Sequence, residues 1–465
     1  MTKNRLIIAA IVLLTTVLAV AFSLLLTQSE MFALAAYSVV LGLTMIFVEP
    51  YIGLLNYLVF LYLRPQEFIP GFVGMPVMLM IGGATAGLTL VHMAVRRSTL
   101  GLQHMPQHYF VLLFVAAIAL SHLSHGNLNG AVEAINYLLP VIILYFLVAA
   151  LVDSEKKVKA TLALLLLMTL FLAGQGIYQY YTGVGIAGQA LFQNRIVSIG
   201  IFSDPNDLSL AMLLILPFPV LLFFDASNIL SKFVYALCTL ALAVTVFFSE
   251  SRGGILSLGF LMLLVVAMRY GIWRGVIMGM VMAVIIAALG PSRMGEISTG
   301  EASAHARVDS WTVAFNLFQW NPLFGVGQGM FTSYHPKTAH NSVLLALAEL
   351  GFVGLFAWML LFYSSIKTLH DVNREAMEAG NRRLALYADS VKLGLIGFFT
   401  GSLFLSRTYS PLLFILFGLA GVITTVYLRQ SGEQYALFEK KDWRNGLVFT
   451  IVTLFALKAF LLWAW

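Results

Sequence analysis

The sequence has little charge and almost no cysteine. Only 10% of its 465 residues are Asp, Glu, Lys or Arg, whereas a soluble protein of this length carries about 25%. Its single cysteine, Cys238, lies inside an apolar stretch, which excludes disulfides and thiolate metal sites. The alternation of apolar and polar residues that barrel strands require is also missing. These absences disfavour a soluble fold, a disulfide-stabilised fold and a transmembrane barrel.

Apolar residues make up 60% of the chain and give it a mean hydropathy of +0.90. Runs of roughly 17–25 apolar residues, the length of a membrane-spanning helix, recur from end to end. We therefore predict an all-α polytopic membrane protein, a single bundle of about 12–15 transmembrane helices. Residues 6–26 are expected to be the first helix and not a cleaved signal peptide, because no small-residue cleavage site follows before Glu30.

The predicted helices follow one another through short loops without a visible domain boundary. Residues 1–465 are therefore expected to form one integral membrane domain. In chain order the predicted helices are 6–26, 31–48, 51–62, 72–95, 109–124, 131–152, 158–181, 208–224, 231–248, 254–270, 275–290, 341–366, 388–405, 410–428 and 446–464.

Lysine and arginine assign the loops to two sides of the membrane, since cytoplasmic loops are enriched in both. With the N-terminus inside, most of these residues fall in alternate loops, which are predicted to be cytoplasmic. This threading predicts an external loop at 182–207 and a larger external loop at 291–340. The external side keeps only Arg64, Arg195, Arg252, Arg293, Arg307, Lys337 and Arg407.

The external side thus has six arginines and one lysine. A surface that only confers solubility has no reason to prefer arginine. A surface that binds phosphate does, because guanidinium stays charged and binds oxyanions in a bidentate manner. The alternative is that arginine reaches lipid headgroups well from a helix end. The pattern favours a phosphate-binding face, with interfacial anchoring as the other interpretation.

Two of these arginines lie in recognisable local patterns. Arg252, in the segment 248–254 (FSESRGG), ends an apolar helix and precedes two glycines that would let a backbone or a ligand approach. Arg195 lies shortly before the turn at 204–207 (DPND), in which Asp207 is the expected N-cap of the next helix. We expect Arg195 to fold back over the same aqueous cavity that Arg252 would face.

The external loop at 291–340 contains a helix pattern of its own. Apolar residues from Trp311 onward recur at helical spacing, which predicts a short amphipathic surface helix at about 306–320 with Arg307 near its start. The Gly-rich segment 321–329 (NPLFGVGQG) then breaks the helix. Because it lacks the Lys-Ser/Thr of a P-loop, we interpret it as a hinge or lid, with phosphate contact as the lesser option.

His340 is the candidate general base. It precedes Asn341, where a long apolar helix begins, and it shares the external face with the arginines. An imidazole beside bound anions is suited to proton transfer near neutral pH. The alternatives are a core histidine satisfied by hydrogen bonds or a substitute for a helix N-cap. No metal site is expected, because His335 and His340 flank Pro336 and the external acids have no ligand spacing.

Other polar residues are assigned smaller roles. Glu349 is expected to neutralise an intramembrane Arg or another polar group, and Arg64 to pair with Glu67. The two histidines in 121–130 are expected to be ordinary loop residues. The residues of lesser weight in the candidate site are Asn206, Asp207, Trp311, His335, Lys337, Glu349 and Arg64.

Taken in order, these motifs resemble those of the O-antigen ligase and polymerase superfamily. The matching features are Arg195 before a DPN turn, SRGG closing a helix, an external loop with Arg and Trp, and AHNSxLxxxxELG. The resemblance covers about 160–430, and the earlier segment GLLNYLVFLYLRPQEF is similar to that of O-glycosylation ligases. The DPND turn departs from the NPN of many relatives, which leaves the roles of Asp204 and Asp207 open.

The resemblance implies transfer of a glycan from undecaprenyl diphosphate to an acceptor hydroxyl at the periplasmic face of the bacterial inner membrane. It implies no nucleotide, metal or other cofactor and no nucleic-acid partner; membrane lipid surrounds the site. His340, Arg252 and Arg307 are then the expected catalytic residues. The expected diphosphate ligands are Arg195, Arg252, Arg307 and Arg407.

Several acceptors fit this donor chemistry. We favour a lipid A-core sugar, as in lipopolysaccharide biosynthesis, because an amphipathic surface helix suits two lipid-anchored substrates. A polysaccharide polymerase and a protein O-glycosylation ligase would use the same donor. The alternative from another class is a transporter of the lipid-linked glycan, although the sequence has no internal repeat of the kind found in transporters.

Overall fold

The computed structural model describes residues 42, 44–64, 67, 76–96, 105–289, 297–432 and 438–464. The predicted helix 6–26, most of the predicted helix 31–48 and the first residues of the external loop at 291–340 lie outside these residues, so their predictions stand untested.

The described part of the chain folds into fifteen α-helices without a β-strand, which confirms the predicted all-α membrane fold. Eleven helical segments are long and apolar enough to cross a membrane, and two shorter apolar helices accompany them. The helices are α1 (Pro50–Leu63), α2 (Val77–Arg96), α3 (Pro106–Leu123), α4 (Leu128–Leu151), α5 (Glu155–Thr182), α6 (Pro205–Ile215), α7 (Pro217–Asp225), α8 (Ile229–Phe248), α9 (Arg252–Tyr270), α10 (Ile272–Leu289), α11 (Ile297–Trp320), α12 (Ser342–Glu378), α13 (Arg382–Ser402), α14 (Pro411–Ser431) and α15 (Lys440–Ala464).

The centre of the bundle consists of α12, α13, α14 and the α6–α7 segment. In α12 and α14, 83% of the residues in the apolar membrane-spanning window are buried. By contrast, α8 is only 17% buried, and α2 and α15 are each 22% buried. The outer helices expose Leu, Val, Ile and Phe side chains, as expected for surfaces that face lipid. The N-terminal ends of α6, α9 and α12 therefore start from the middle of the bundle and not from its edge.

The predicted helix 208–224 is in fact two helices, α6 and α7. Pro217 and Pro219 have no backbone N–H, so two of the hydrogen bonds that would continue α6 cannot form. Gly394 of α13 packs against the break, where a Cβ atom would lie 2.4 Å from the carbonyl oxygen of Leu214. The break thus follows from proline chemistry that the apolar pattern alone does not reveal.

The long helix α12 is interrupted at Gly351, which has a φ of 63° and a ψ of −162°. The Gly-rich segment 321–329 supplies the hydrogen bonds that the interruption leaves open. Val326 N donates to Ala348 O at 3.0 Å, and Phe352 N donates to Pro322 O at 2.8 Å. The segment is therefore a fixed part of the bundle and not the predicted hinge or lid.

The C-terminal end of α3 and the turn after it hold this Gly-rich segment from its other side. His122 Nε2 donates to the carbonyl oxygen of Gln328 at 3.0 Å, and Ser121 Oγ accepts from Gln328 N at 3.2 Å. His125 Nε2 lies 3.0 Å from Asn321 Oδ1. The two histidines, expected to be ordinary loop residues, therefore position the segment that closes the break in α12.

Replacing Gly351 by alanine is expected to destabilise the protein by about 2–4 kcal/mol. The cost of a positive φ for alanine and the cost of placing a Cβ atom in a filled space add together. A Cβ atom at this position would lie 2.5 Å from backbone atoms of Leu323. Thermal unfolding in detergent measures the effect. Gly174→Ala is the matched control: that helical glycine has nothing within 4 Å of a Cβ atom, and the change should be neutral or slightly stabilising. Equal midpoints for both variants would contradict the packing described above.

Candidate functional site

The candidate site lies where α6, α9 and α12 begin and α13 ends. Asn341 is the N-cap of α12: its Oδ1 accepts from Leu344 N at 3.1 Å, and its Nδ2 donates to Leu403 O at 3.0 Å. Ser342 Oγ accepts from the backbone N–H of Arg407 at 2.7 Å. The two polar residues that open α12 therefore fix the loop between α13 and α14 beside His340.

The DPND turn starts α6, and its N-cap is Asp204. Asp204 Oδ1 accepts from the backbone N of Asn206 at 2.8 Å, with Pro205 in the first helical position. The prediction that Asp207 is the N-cap is therefore wrong, because proline fixes the helix start one position after Asp204. Asp207 instead makes a bidentate ion pair with Nε and Nη2 of Arg407.

Arg195 folds back over the start of α6, as the sequence predicts. Its Nε donates to Ser249 O at 2.8 Å, and its Nη2 donates to Asn206 Oδ1 at 3.1 Å. Its side chain is buried. Arg195 thus joins the end of α8 to the start of α6. Arg195 and Arg407 both hold the turn at 204–207 in place.

Arg252 is the first residue of α9, where Ser251 Oγ caps the helix by accepting from Gly254 N at 3.2 Å. The two glycines after Arg252 serve packing between helices. A Cβ atom on Gly254 would lie 1.9 Å from Ser209 Oγ, and one on Gly253 would lie 2.6 Å from Phe404. The two glycines were predicted to let a backbone or a ligand approach closely. In the structure, the groups that approach them are the side chains of Ser209 and Phe404.

Arg307 extends from α11 towards the same region. Burial and then the positive charge of Arg252 lower the pKa of Arg307. No carboxylate among the described side chains pairs with Arg307. An anion bound beside both guanidinium groups would relieve their repulsion, and the N-terminus of α9 would attract it further. Such an arrangement is chemically able to hold an anionic oxygen.

His340 directly precedes Asn341 and Ser342, which bind the loop that carries Arg407. Its imidazole makes no hydrogen bond within the described part of the chain. Burial lowers its pKa, followed by the positive charges of Arg307, Lys337 and Arg407, whereas Asp204 acts in the opposite direction. The imidazole is therefore neutral near pH 7, with a nitrogen available to accept a proton.

All five non-glycine residues with positive φ in the described part of the chain lie at, or within two residues of, predicted site residues. They are Arg64 (44°), Gln193 (52°), Asn194 (63°), Glu250 (48°) and His340 (49°). Left-handed backbone is uncommon for such residues and persists only where the surroundings impose it. Strain of this kind is often found at functional sites, which makes these positions candidates for function.

His335 connects the loop of His340 to the helix of Arg307. Its Nε2 lies 3.2 Å from Asp309 Oδ2, and its Nδ1 lies 2.8 Å from the carbonyl oxygen of Lys337. His335 therefore positions two candidate residues, Arg307 and His340, relative to each other.

The remaining residues of lesser weight support the site from further away. Glu349, buried in α12, accepts hydrogen bonds from Tyr409 OH at 2.8 Å and from Phe331 N at 3.3 Å. Glu349 was expected to neutralise either an arginine or another polar group. The contacts observed are with a hydroxyl and a backbone N–H, so the second expectation is the one met. Arg64 pairs with Glu67 at 3.0 Å, as predicted. Trp311 is buried, with its ring 5.6 Å from that of Phe460.

A cavity of about 280 Å³ opens beside Arg407. We call it the Arg407 cavity. It lies between α4, the residues before α6 and the loop before α14. The side chains that line it and matter below are Tyr137, Phe202, Ser203, Asp207, Arg407 and Tyr409. Tyr137 and Ser203 were not predicted, because neither lies in a sequence motif.

No three His, Cys, Asp or Glu side chains in the described residues are grouped so that they could hold a metal ion. The groups that converge here are instead guanidinium, imidazole and hydroxyl groups. They can bind an anion and accept a proton.

Comparison with known proteins agrees with this chemistry. Residues 237–359 match the family model described as O-antigen ligase. The matched segment runs from α8 into α12 and contains Arg252, Arg307 and His340. No curated protein matches the chain. This match supports the resemblance to the O-antigen ligase superfamily that the sequence motifs indicate.

Proposed function

We propose that the protein is an O-antigen ligase. It transfers a glycan from undecaprenyl diphosphate to a sugar hydroxyl of the lipid A-core at the periplasmic face of the inner membrane. The observation that carries the proposal is the position of His340, a neutral imidazole without an internal hydrogen bond in the described structure, next to Arg307 and Arg407. This combination supplies a proton acceptor and anion-binding groups in one place.

The arginines stabilise the leaving group. As the bond between the anomeric carbon and the diphosphate oxygen breaks, its electron pair remains on the diphosphate. Arg252 and Arg307 are placed to bind that growing charge, because their own repulsion is relieved by it. Arg195, which donates to Asn206, adds positive potential nearby. Arg407 is neutralised by Asp207 and holds the turn at 204–207 in place.

His340 activates the acceptor. The acceptor hydroxyl attacks the anomeric carbon while its proton passes to the free nitrogen of the imidazole, and the new glycosidic bond replaces the bond to diphosphate. Attack opposite the leaving group inverts the anomeric centre. The imidazolium then returns its proton to solvent or to the released diphosphate. Lys337 and His335 keep the loop in position for this exchange, and no residue has to be covalently modified.

The fall of kcat/KM at acid pH is expected to reflect protonation of His340. Because burial and nearby arginines lower its pKa below the ordinary value of 6.5, the base is present at neutral pH and is lost only as the pH falls below 6.5. The profile of kcat/KM should therefore decline on the acid side below pH 6.5. Bound diphosphate is negative and raises this pKa, so the acid limb of kcat should lie at higher pH. An acid limb of kcat/KM above 6.5 would contradict the role of His340.

Surface glycans of a strain lacking this protein test the proposed function and its acceptor. Bare lipid A-core together with accumulated lipid-linked polymer is the expected result. Single repeats left on the core would identify a polymerase instead, and loss of glycan from protein would identify a protein O-glycosylation ligase. Unchanged glycans of every class would overturn the proposal.

A further inference from the structure

The Arg407 cavity has the size and lining of a small-ligand site. Its volume of about 280 Å³ is close to the lower end of ligand pockets, roughly 300 Å³. Aromatic side chains from three separate elements line it: Tyr137 from α4, Phe202 from the turn before α6, and Tyr409 from the loop before α14. Of these, Tyr137 is the exposed ring, and its face can pack against the apolar surface of a ligand ring.

The charges in the cavity cancel. Asp207 and Arg407 both line it, and they neutralise each other in a bidentate ion pair. A diphosphate would gain little from a guanidinium that is already paired. A neutral ligand with many hydroxyl groups would gain more, because the outer edges of the pair still accept and donate hydrogen bonds. Ser203 and Ser410 add two hydroxyl groups to the lining.

One polar atom at this cavity lacks a partner. Ser406 Oγ is buried and makes no hydrogen bond within the described structure, and Ser406 is one of the lining residues. A buried hydroxyl group without a partner is costly. Rotation of the Ser406 side chain into the cavity would let a ligand hydroxyl satisfy it. Aromatic faces, a neutral ion pair and free hydroxyl groups together are suited to a sugar ring.

The position of the cavity distinguishes the two sugars of the reaction. His340 lies two residues before Ser342, whose Oγ accepts from the backbone N–H of Arg407 at 2.7 Å. The loop that lines the cavity is therefore packed beside His340. In an in-line displacement, the attacking hydroxyl lies opposite the leaving group and within reach of the base. With the diphosphate at Arg252 and Arg307, the attacking sugar belongs on the Arg407 side.

We infer that the Arg407 cavity binds the acceptor sugar and presents its hydroxyl to His340. The inference rests on the proposed function. It adds Tyr137 as a binding residue for the acceptor, at the edge of the cavity, where its side chain is 65% exposed. Because this side chain contributes little to the core, its replacement changes the cavity without disturbing the fold.

The test measures KM for donor and acceptor separately, with purified protein in lipid vesicles. The acceptor is lipid A-core isolated from a strain that lacks this protein. Tyr137→Ala is expected to raise the KM for acceptor about tenfold, the loss of one aromatic face, and to leave the KM for donor unchanged. Tyr137→Phe keeps that face and should resemble the wild type. Tyr109→Ala is the matched control, because Tyr109 is 66% exposed and lies on α3 near the opposite end of the bundle.

The outcomes separate the two proposals. Transfer by the wild type with an unchanged acceptor KM in Tyr137→Ala would overturn the acceptor site while leaving the proposed function intact. A rise in donor KM alone would also overturn it, since the cavity would then hold the donor. No transfer by the wild type under any condition would overturn the proposed function itself.

Discussion

Replacing His340 is expected to lower the rate of glycan transfer by about 10²–10⁴-fold, the usual contribution of a general base. The acceptor hydroxyl would then lose its proton only to water. The KM for donor should change little, because the arginines that bind diphosphate remain. Initial rates of product formation by purified variants in vesicles measure the effect. The loss should be largest above pH 6.5, where the wild-type imidazole is neutral.

The choice of substitution matters because His340 has a φ of 49°. Asparagine adopts left-handed backbone more readily than alanine does, so His340→Asn removes the base with less strain than His340→Ala. Both variants should unfold at nearly the wild-type temperature. His370→Ala is the matched control, since His370 is exposed near the far end of α12. Transfer by His340→Asn at the rate of this control would refute the catalytic role.

Replacing Arg307 by glutamine is expected to lower the rate by about 10²–10³-fold, the effect of losing one preorganised donor to a developing oxyanion. Arg307→Lys keeps the charge but loses the bidentate fork, so it should lie between glutamine and the wild type. Arg374→Gln removes a surface arginine of α12, whose side chain is 59% exposed, and should have no effect. Steady-state rates at saturating donor give the comparison.

Arg307→Gln has a second expected signature. The positive charge of Arg307 is among the causes that lower the pKa of His340. Removing that charge raises the pKa, so the acid limb of kcat/KM should move to higher pH. A slower enzyme with an unmoved acid limb would mean that Arg307 binds the substrate but lies too far from His340 for the proposed geometry.

Much of the fold was predictable, because the length of an apolar run indicates directly whether it can form a membrane-spanning helix. Each predicted helix from 51–62 onward corresponds to one helix in the structure, except 208–224, which is two. The interruption at Gly351 was not predictable. It depends on hydrogen bonds from the Gly-rich segment 321–329, and no local pattern reveals which two segments will meet.

The candidate site also has features that could be predicted from the sequence and features that could not. Arg252, Arg307 and His340 were predicted from their chemistry and their common side of the membrane, and the structure brings them together. The ion pair between Asp207 and Arg407 was not predicted, because its partners lie 200 residues apart. The roles of Ser342 and Tyr137 also depend on tertiary contacts, which a single sequence does not encode locally.

The most direct test of the central claim is transfer by the purified protein in vesicles. The assay combines undecaprenyl-diphosphate-linked glycan with lipid A-core, without ATP, and detects covalent product by mass. The account predicts glycosylated lipid A-core from the wild type and none above background from His340→Asn. Movement of the lipid-linked glycan across the vesicle membrane without any covalent product would contradict it and identify a transporter.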